Sequence, residues 1–270
     1  NAVVIRFLRL TGLWDRAYRN FLHPQLTRRD LFLPRLPAAF DGFRVLHLSD
    51  LHADCCPALI DNLVPLLESL RGTYDVVLDT GDFRCLSEGG FAEAVRLTAR
   101  VHAAVDAPHY ACLGNHDYLE MVPLLEACGM TFLLNEACEL TRANASLWLV
   151  GIDDPCSYRT DDLPRAFGNV PPDACTVLLS HGPEPFREAA ALGCDLQLSG
   201  HCHGGQIALP GGVPLVTRSR APRRVTVGPW HERQMLGYTT RGIGGTLPVR
   251  VNCPPEIALF TLRRGPLRRS

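Results

Sequence analysis

The chain has 270 residues and contains no lysine, since its 27 basic residues are all arginine. A P-loop needs a lysine on its phosphates, a protein kinase needs one on a strand, and Schiff-base catalysis needs an amine side chain. The sequence therefore excludes these three kinds of chemistry. Arginine keeps its charge and offers a planar fork that suits phosphate and carboxylate groups.

Other common features are also missing. None of the 11 cysteines forms a C-x-x-C pair, which excludes a zinc ribbon or a thioredoxin-type motif. No apolar run is long enough to span a membrane. The formal net charge of −1 argues against a specific nucleic-acid partner, because phosphate contacts demand a basic balance. Unpaired cysteines in this number favour a reducing compartment, so we expect a cytoplasmic protein or one peripheral on the inner membrane.

Residues 1–37 differ from the rest of the chain. A helix over 3–21 would carry an apolar stripe, with arginines roughly opposite. A basic amphipathic helix of this kind can lie in a membrane interface, or it can dock on its own domain, and both readings stay open. Residues 24–37 then form an irregular connector. The stripe consists of Val3, Phe7, Leu10, Trp14, Ala17 and Phe21, and the arginines are Arg6, Arg9, Arg16 and Arg19.

Residues 38–270 are predicted to form one domain. From Gly42 to about residue 199, apolar strand patterns alternate with helix patterns, and 205–262 is strand-like with frequent glycine and proline. Alternation that gives way to strands predicts an α/β (α+β) fold in which two packed mixed β-sheets are flanked by helices.

Five loops carry polar residues directly after predicted strands. Ligand sites in α/β sheets form outside the carboxyl ends of strands, so we expect these loops to converge on one rim. The loops are Asp50-Leu51-His52, Gly81-Asp82, Gly114-Asn115-His116-Asp117, Ser180-His181 and Gly200-His201-Cys202-His203.

The residue types in these loops indicate metal chemistry. Histidine, aspartate and asparagine without cysteine suit a divalent ion of borderline or hard character. Two close ions need a shared ligand, and a carboxylate with two oxygens can bridge them. Such a pair can clamp the attacking and leaving oxygens of a phosphoryl displacement. The loops therefore predict a site for metal-assisted phosphoryl chemistry.

In order and spacing, the five loops resemble the signature of calcineurin-like metallophosphoesterases, over residues 43–262. The resemblance implies a four-layer αββα sandwich and a dinuclear phosphoesterase that cleaves phosphodiester or pyrophosphate bonds with a metal-bridging hydroxide. The stretch from Gly242 to Glu256 is similar to a branch of bacterial envelope phosphodiesterases and UDP-2,3-diacylglucosamine pyrophosphatases. A lipid-linked or nucleotide-linked substrate would follow from that branch.

The resemblance also implies a set of metal ligands. Two divalent ions are expected; manganese is favoured, and iron, zinc or cobalt would be tolerated by the same donors. Asp50, His52 and His203 would bind the first ion, Asn115, His181 and His201 the second, and Asp82 would bridge the two.

Further roles follow from the same resemblance. His116 would stabilise the developing charge or protonate the leaving oxygen, and Asp117 would orient His116. The backbone of Gly204 and Gly205 would line the floor of the substrate pocket.

The sequence departs from the family pattern at two positions. Asp82 is followed by Phe83-Arg84-Cys85, where an acidic or amide residue is common, and Cys202 stands where threonine or serine is common. Arg84 could fork onto a substrate phosphate, or it could be a structural or surface arginine. The group Arg218, Arg220, Arg223 and Arg224 could meet a nucleotide or an anionic headgroup, or form a solvated loop.

Other functions remain as alternatives. Phosphomonoesterase or protein phosphatase activity would use the same ligands, whereas the charge balance disfavours a nuclease. A metal-binding scaffold without catalysis is disfavoured because every ligand position and His116 are filled.

Overall fold

The computed structural model describes residues 2–86 and 88–268, with side chains from Val4 onward in the first helix. Short 3-10 turns lie at Ala38–Phe40, Leu119–Met121, His203–Gly205 and Arg223–Val225. The α-helices of this part of the chain are α1 (Ala2–Leu10), α2 (Trp14–Phe21), α3 (Pro57–Glu68), α4 (Ala92–His102), α5 (Val122–Glu126), α6 (Leu163–Phe167) and α7 (Phe186–Ala191). The strands are β1 (Gln25–Leu33), β2 (Arg44–Leu48), β3 (Val76–Asp79), β4 (His109–Ala111), β5 (Met130–Phe132), β6 (Glu136–Arg142), β7 (Ala145–Gly151), β8 (Cys175–Leu179), β9 (Leu196–Ser199), β10 (Ala208–Leu209), β11 (Val213–Pro214), β12 (Gly228–Glu232), β13 (Met235–Thr239) and β14 (Glu256–Arg264).

The described strands form two mixed sheets of six strands each and a small hairpin of β10 and β11. The first sheet has the order β1-β14-β2-β3-β4-β5, in which β2 to β5 run parallel and β14 runs antiparallel to β2. The second has the order β12-β13-β9-β8-β7-β6, in which β13, β9, β8 and β7 run parallel. The predicted fold class of two packed mixed sheets flanked by helices is confirmed.

The main core lies between the two sheets. Val45 and Leu78 of the first sheet and Val177 and Leu198 of the second belong to one buried cluster. A second cluster packs α3 and α4 on the outer face of the first sheet, and a third packs α6 and α7 on the second. Central parallel strands are thus covered on both faces, which explains their continuous apolar sequences. Burial of each Leu or Val side chain in these clusters stabilises the folded state by about 1.5 to 3 kcal/mol.

The prediction of one helix over residues 3–21 is wrong. Gly12 has a positive φ of 69° and ends the first helix, and the N–H of Leu13 closes the turn on the carbonyl of Leu8 at 2.9 Å. This is a C-terminal capping turn of the kind that glycine favours. Because this turn separates α1 from α2, the expected stripe is divided, and the side chain of Val3 lies outside the described residues. Ala17 and Phe21 are buried, whereas Phe7 and Leu10 are 60% and 78% exposed.

The prediction of an irregular connector over 24–37 is also wrong for most of its length. Strand β1 pairs in parallel with β14, from Gln25 opposite Glu256 to Leu33 opposite Arg264. The N-terminal segment is therefore a structural edge of the first sheet. In the described residues, no helix combines the length and the apolarity needed to cross a bilayer.

Candidate metal centre

The five strand-end loops converge at one edge of the two sheets. The register of β2 and β3 places Leu48 opposite Asp79, so the loops that follow run side by side. There the N–H of Asp50 donates to the carbonyl of Gly81 at 2.8 Å. Positive φ, rare outside glycine and often found at functional sites, occurs at many of the polar residues of these loops. They are Asp50, His52, Asp82, His201 and His203.

One group of donor atoms surrounds the position predicted for the first ion. Asp50, His52, Asp82 and His203 each offer one ligand atom within 4.8 Å of the others. The Nε2 atoms of His52 and His203 are 3.3 Å apart, and Oδ1 of Asp50 lies 3.5 Å from Nε2 of His203. Both carboxylates are buried. Two imidazoles and two carboxylates that converge in this way suit a divalent cation.

A second group shares Asp82 with the first. Asp82, His181 and His201 also offer ligand atoms within 4.8 Å of one another. Oδ1 of Asn115 lies 3.2 Å from Nε2 of His181, so the amide oxygen joins this group. The structure therefore brings together all seven residues predicted as metal ligands, with Asp82 common to both groups as a bridging carboxylate requires.

Hydrogen bonds to main-chain carbonyls fix the orientation of three of these imidazoles. A carbonyl oxygen only accepts, so the bonded ring nitrogen carries a proton and the other nitrogen is turned toward the centre. The pairs are Nδ1 of His52 with Arg84 at 2.7 Å, Nδ1 of His181 with Thr80 at 2.7 Å, and Nε2 of His201 with Arg218 at 3.0 Å.

The electrostatics of the centre favour a cation. Burial lowers the pKa of His52 to about 4 and that of His203 well below its usual value, which keeps both rings neutral. Burial alone would also lower the pKa of His181, but the charges of Asp82 and Asp50 raise it to about 10. A protonated His181 therefore balances the buried carboxylates. Divalent ions would supply that charge and displace the proton, so the residues fit a dinuclear site.

Asp117 contacts a different part of the site from the one predicted. Instead of orienting the imidazole of His116, its carboxylate accepts main-chain N–H groups of the loop after β3 and of the loop after β4. The prediction for Asp117 is thus corrected: it ties the two loops that carry the bridging aspartate and the second metal group. Its partners are the N–H groups of Asp82 at 2.8 Å, Gly114 at 2.8 Å, Phe83 at 2.8 Å and Arg84 at 3.3 Å.

His116 lies beside the metal ligands without belonging to either group. Its ring packs edge-on against the ring of His52, with centroids 5.2 Å apart. The main-chain N–H of His116 donates to Oδ1 of Asp82 at 2.9 Å. Its Nδ1 is buried and has no hydrogen-bond partner among the described residues. The imidazole therefore lies next to the centre and keeps a ring nitrogen that no described residue binds.

Arg84 is fully buried, so it is not a surface arginine. Its guanidinium carbon lies 4.1 Å from the centroid of the Tyr118 ring, and Nη2 donates to the carbonyls of Glu88 at 2.8 Å and Gly89 at 3.3 Å. Its Nε and Nη1 have no hydrogen-bond partner among the described residues. These contacts favour the structural role. A contact between a substrate phosphate and the remaining donors, Nε and Nη1, stays a proposal.

Gly204 and Gly205 allow the loop after β9 to pack closely. Both have positive φ. A Cβ on Gly204 would lie 2.6 Å from Sγ of Cys253, and one on Gly205 would lie 2.7 Å from the carbonyl oxygen of Val216. Glycine is required here because a side chain would push the loop away from its neighbours.

Two further parts of the site were not predicted from the sequence. Arg250 is fully buried and donates to the carbonyl of His203 at 2.8 Å and to that of Gly244 at 2.6 Å. It lies within the stretch 242–256, whose similarity to one branch of the family was the sequence feature that could have indicated a role for this residue. The other part is Glu184, which forms a third group of ligand atoms with Cys156 and His201.

The four arginines after the histidine loop are mostly engaged with the main chain. Arg220 donates to the carbonyl of Pro155 at 2.9 Å and Arg223 to that of Leu215 at 2.8 Å, while Arg224 pairs with Glu232 at 2.5 Å. All three are exposed. They form a solvated loop, and Arg218 is the member that lines a groove beside the metal ligands.

Comparisons with known proteins agree with this geometry. The family model described as calcineurin-like phosphoesterase matches residues 43–205. Phosphodiesterase YaeI of Escherichia coli is 32% identical over 82% of this chain and 82% of its own length. The uncharacterized metallophosphoesterase YkuE of Bacillus subtilis is 28% identical over 94% and 92%. UDP-2,3-diacylglucosamine pyrophosphatase LpxG of Chlamydia muridarum is 27% identical over 93% and 92%.

Among solved structures, the sulfate thiohydrolase SoxB of Thermus thermophilus superposes with a TM-score of 0.51 at 14% identity. The match covers 84% of this chain and 57% of that protein, and it shows a shared fold.

Proposed function

Because this chain belongs to the calcineurin-like phosphoesterase family and is a metal-dependent hydrolase of phosphoric esters, we propose that it cleaves phosphodiester or pyrophosphate bonds at the centre built on Asp82. The observation that carries the proposal is the sharing of Asp82 by two groups of ligand atoms. A diester or pyrophosphate preference is supported by the two relatives whose names state such substrates.

The proposed ligands are the seven residues gathered at the centre, with manganese as the metal. Bound divalent ions would polarise the phosphoryl group and lower the pKa of a water molecule. The chain's own part is to hold the donors in place. The main-chain carbonyls of Thr80, Arg84 and Arg218 accept from the outer nitrogens of three imidazoles, which keeps the inner nitrogens turned to the centre.

His116 is proposed to act on the substrate rather than on a metal. Its ring borders His52, and its Nδ1 is free of partners among the described residues, so it can donate a proton to the leaving oxygen or a hydrogen bond to the developing charge. Arg84 would contribute its free Nε and Nη1 to a substrate oxygen, and Gly204 and Gly205 would let the substrate approach the main chain closely.

A panel of chromogenic esters tests this proposal. We expect the manganese-loaded protein to hydrolyse bis-p-nitrophenyl phosphate and an aryl pyrophosphate with a higher kcat/KM than p-nitrophenyl phosphate. Chelation should abolish turnover, and added metal should restore it. A clear preference for the monoester would favour the phosphomonoesterase alternative, and full metal loading without any turnover would favour the scaffold.

A membrane contact through the N-terminal segment is proposed as well. Residues 1–37 precede the proposed domain at 38–270 and add β1 to its first sheet, and α1 exposes Phe7 and Leu10 beside the exposed Arg6 and Arg9. Exposed apolar groups flanked by arginines suit an anionic bilayer surface. The proposed location is therefore the cytoplasm, at the surface of the inner membrane.

Sedimentation with phosphatidylglycerol vesicles tests this contact. Deletion of the segment would remove Phe21 from the core and the whole of β1, so substitutions are preferable. We expect Phe7→Ser combined with Leu10→Ser to lose vesicle binding. The control is Leu124→Ser combined with Leu192→Ser, which removes one exposed apolar group in α5 and one directly after α7. Equal binding by both double variants would contradict the contact.

A further inference from the structure

A third group of metal-ligating side chains lies beside the dinuclear centre. It consists of Cys156, Glu184 and His201, whose ligand atoms lie within 4.8 Å of one another. These residues follow β7, β8 and β9, which are adjacent parallel strands, so one edge of the second sheet supplies all three. The proposed function uses His201 and leaves Cys156 and Glu184 without a role.

The thiol and the carboxylate of this group are held in contact by their surroundings. Sγ of Cys156 donates to Oε2 of Glu184 at 3.5 Å, while Oγ of Ser219 donates to Oε1 of the same carboxylate at 2.8 Å. The buried carboxylate of Asp154 accepts the main-chain N–H of Cys156 at 2.8 Å and thereby fixes its loop. Replacement of the thiol proton by a cation would join the two groups that already face each other.

Gly182 leaves the space in which this contact forms. A Cβ at this position would overlap both Oε2 of Glu184 and Sγ of Cys156. The φ angle of Gly182 lies outside the left-handed region, so the backbone conformation does not require glycine here. Glycine is needed because the thiol and the carboxylate occupy the place of its side chain.

The donor set of the third group differs from those of the dinuclear centre in its thiol. A thiolate, an imidazole and a carboxylate are usual protein ligands of zinc, and three such ligands leave its fourth position open. Thiolate ligands favour zinc, whereas manganese and magnesium prefer carboxylate, carbonyl and water oxygens. The third group should therefore select zinc, while the two groups that share Asp82 accept manganese.

His201 can serve only one cation at a time. Its Nε2 donates to the main-chain carbonyl of Arg218 at 3.0 Å, so Nδ1 is the nitrogen that can bind a cation. This Nδ1 lies 3.3 Å from Nε2 of His181, within the second metal group. A cation held by Cys156 and Glu184 must therefore take the nitrogen that the second metal group uses.

We propose that Cys156, Glu184 and His201 form an inhibitory zinc site, at which a bound zinc ion withdraws His201 from the second metal group. The thiol proton is released to solvent on binding, so that the sulfur binds as a thiolate. The zinc binding follows from the donor atoms alone, whereas the inhibition rests on the proposed function. Zinc would compete for one protein ligand and not for the substrate.

Cadmium is a probe for the thiolate, because a cadmium–thiolate bond has a charge-transfer absorption in the ultraviolet. Titration of the manganese-loaded protein with cadmium should give an absorption that Cys156→Ser lowers by one bound ion per chain. Cadmium that replaces manganese at the dinuclear centre adds no such absorption, because those two groups contain no cysteine.

Cys138→Ser is the matched control for this titration. Cys138 is half-buried, as Cys156 is, and belongs to none of the ligand groups among the described residues. The control should keep the wild-type absorption. Equal absorption in Cys156→Ser and in the control would overturn the site.

Zinc inhibition of diester hydrolysis tests the consequence. Without zinc, Cys156→Ser should match the wild type. The zinc concentration for half inhibition should rise by about tenfold or more in Cys156→Ser, since even the indirect partners of a metal ligand are worth about 10- to 100-fold in affinity. Glu184→Gln should shift it in the same direction, because glutamine can keep the bond from Ser219 but loses the negative charge.

The control variant Cys138→Ser should be inhibited by zinc like the wild type. Equal inhibition of the wild type and Cys156→Ser would assign the effect to metal exchange at the dinuclear centre and overturn the inhibitory role. Absent turnover on every ester would refute the proposed function, and the cadmium absorption would still decide the site. Diester turnover without a loss of cadmium absorption in Cys156→Ser would overturn the site and leave the proposed function standing.

Discussion

Nε2 of His181 lies 3.2 Å from Oδ2 of Asp82, and the same oxygen lies 3.5 Å from Nε2 of His52. One carboxylate oxygen thus faces an imidazole of each metal group. Burial would raise the pKa of Asp82, but the histidines around it hold the pKa well below its ordinary value. The carboxylate is therefore ionised and ready to be shared by two cations.

Asp82→Ala should reduce the bound metal from two ions to one or none per chain, because both groups lose their common ligand. Elemental analysis of the purified protein measures this stoichiometry directly. The control is Asp61→Ala, which removes an exposed carboxylate paired with Arg100. Unchanged metal content in Asp82→Ala would refute the bridging role.

His116→Asn should keep both metal ions and lower kcat by about a hundredfold or more, the range typical of general acid–base groups. The ring is adjacent to His52 but outside the ligand groups, so its loss should leave the donors intact. Steady-state kinetics and metal analysis on the same sample separate the two effects. His23→Asn, at an exposed histidine bonded to the carbonyl of Arg19, serves as the control. Loss of metal from His116→Asn would mean that the residue is a ligand.

Asp117→Asn should destabilise the fold, because an amide nitrogen would face main-chain N–H groups that now donate to a carboxylate oxygen. Leaving buried donors unsatisfied costs about 1 to 3 kcal/mol each. Denaturant unfolding should show this loss equally in the wild type and in the His116→Asn background. If Asp117 acted through the His116 ring, its effect on kcat would disappear in that background while the stability stayed unchanged.

His47 should make the stability of the metal-free protein depend on pH. Burial lowers its pKa to about 4, whereas an unfolded histidine titrates near 6.5. As the pH falls from about 6.5 to about 4, the unfolded state binds the proton first, so the free energy of unfolding decreases through this window and levels off below it. The difference between the two pKa values corresponds to about 3 kcal/mol.

Urea unfolding at pH 7 and pH 4.5, with a chelator present, measures this dependence. The ring of His47 bonds Oγ1 of Thr80 at 3.1 Å, and Gln offers a similar polar group. We expect His47→Gln to lose less stability than the wild type between the two pH values, while titration of the metal-site histidines is common to both proteins. Identical pH dependence of the two would contradict the assignment to His47.

The layout of the site was predictable because its elements have local signals. Strands such as Val76–Asp79 and Cys175–Leu179 are buried along their whole length and read as continuous apolar runs. The polar residues that follow them stand out for that reason. Parallel strands end at the same edge, which made the convergence of the five loops a consequence of fold class.

The N-terminal segment was mispredicted because its structure depends on distant partners. In β1, the exposed residues from Arg28 to Asp30 hide the strand pattern, and its hydrogen bonds go to β14 near the other end of the chain. The helix break at Gly12 was hidden because apolar residues recur at helical spacing on both sides of it. Three of the four N–H contacts of Asp117 likewise come from a loop more than 30 residues earlier, which no local pattern shows.

The position of β14 determines when the centre can be completed. This strand separates β1 from β2, and the segment before it packs on the metal loop, where the N–H of Gly244 donates to the carbonyl of Asp50 at 2.7 Å. The edge of β2 that faces β14 therefore stays unpaired until residues 256–264 have been synthesised. Although all five ligand-bearing loops precede β14 in the chain, we expect the centre to bind its metals fully only once β14 has folded onto β2.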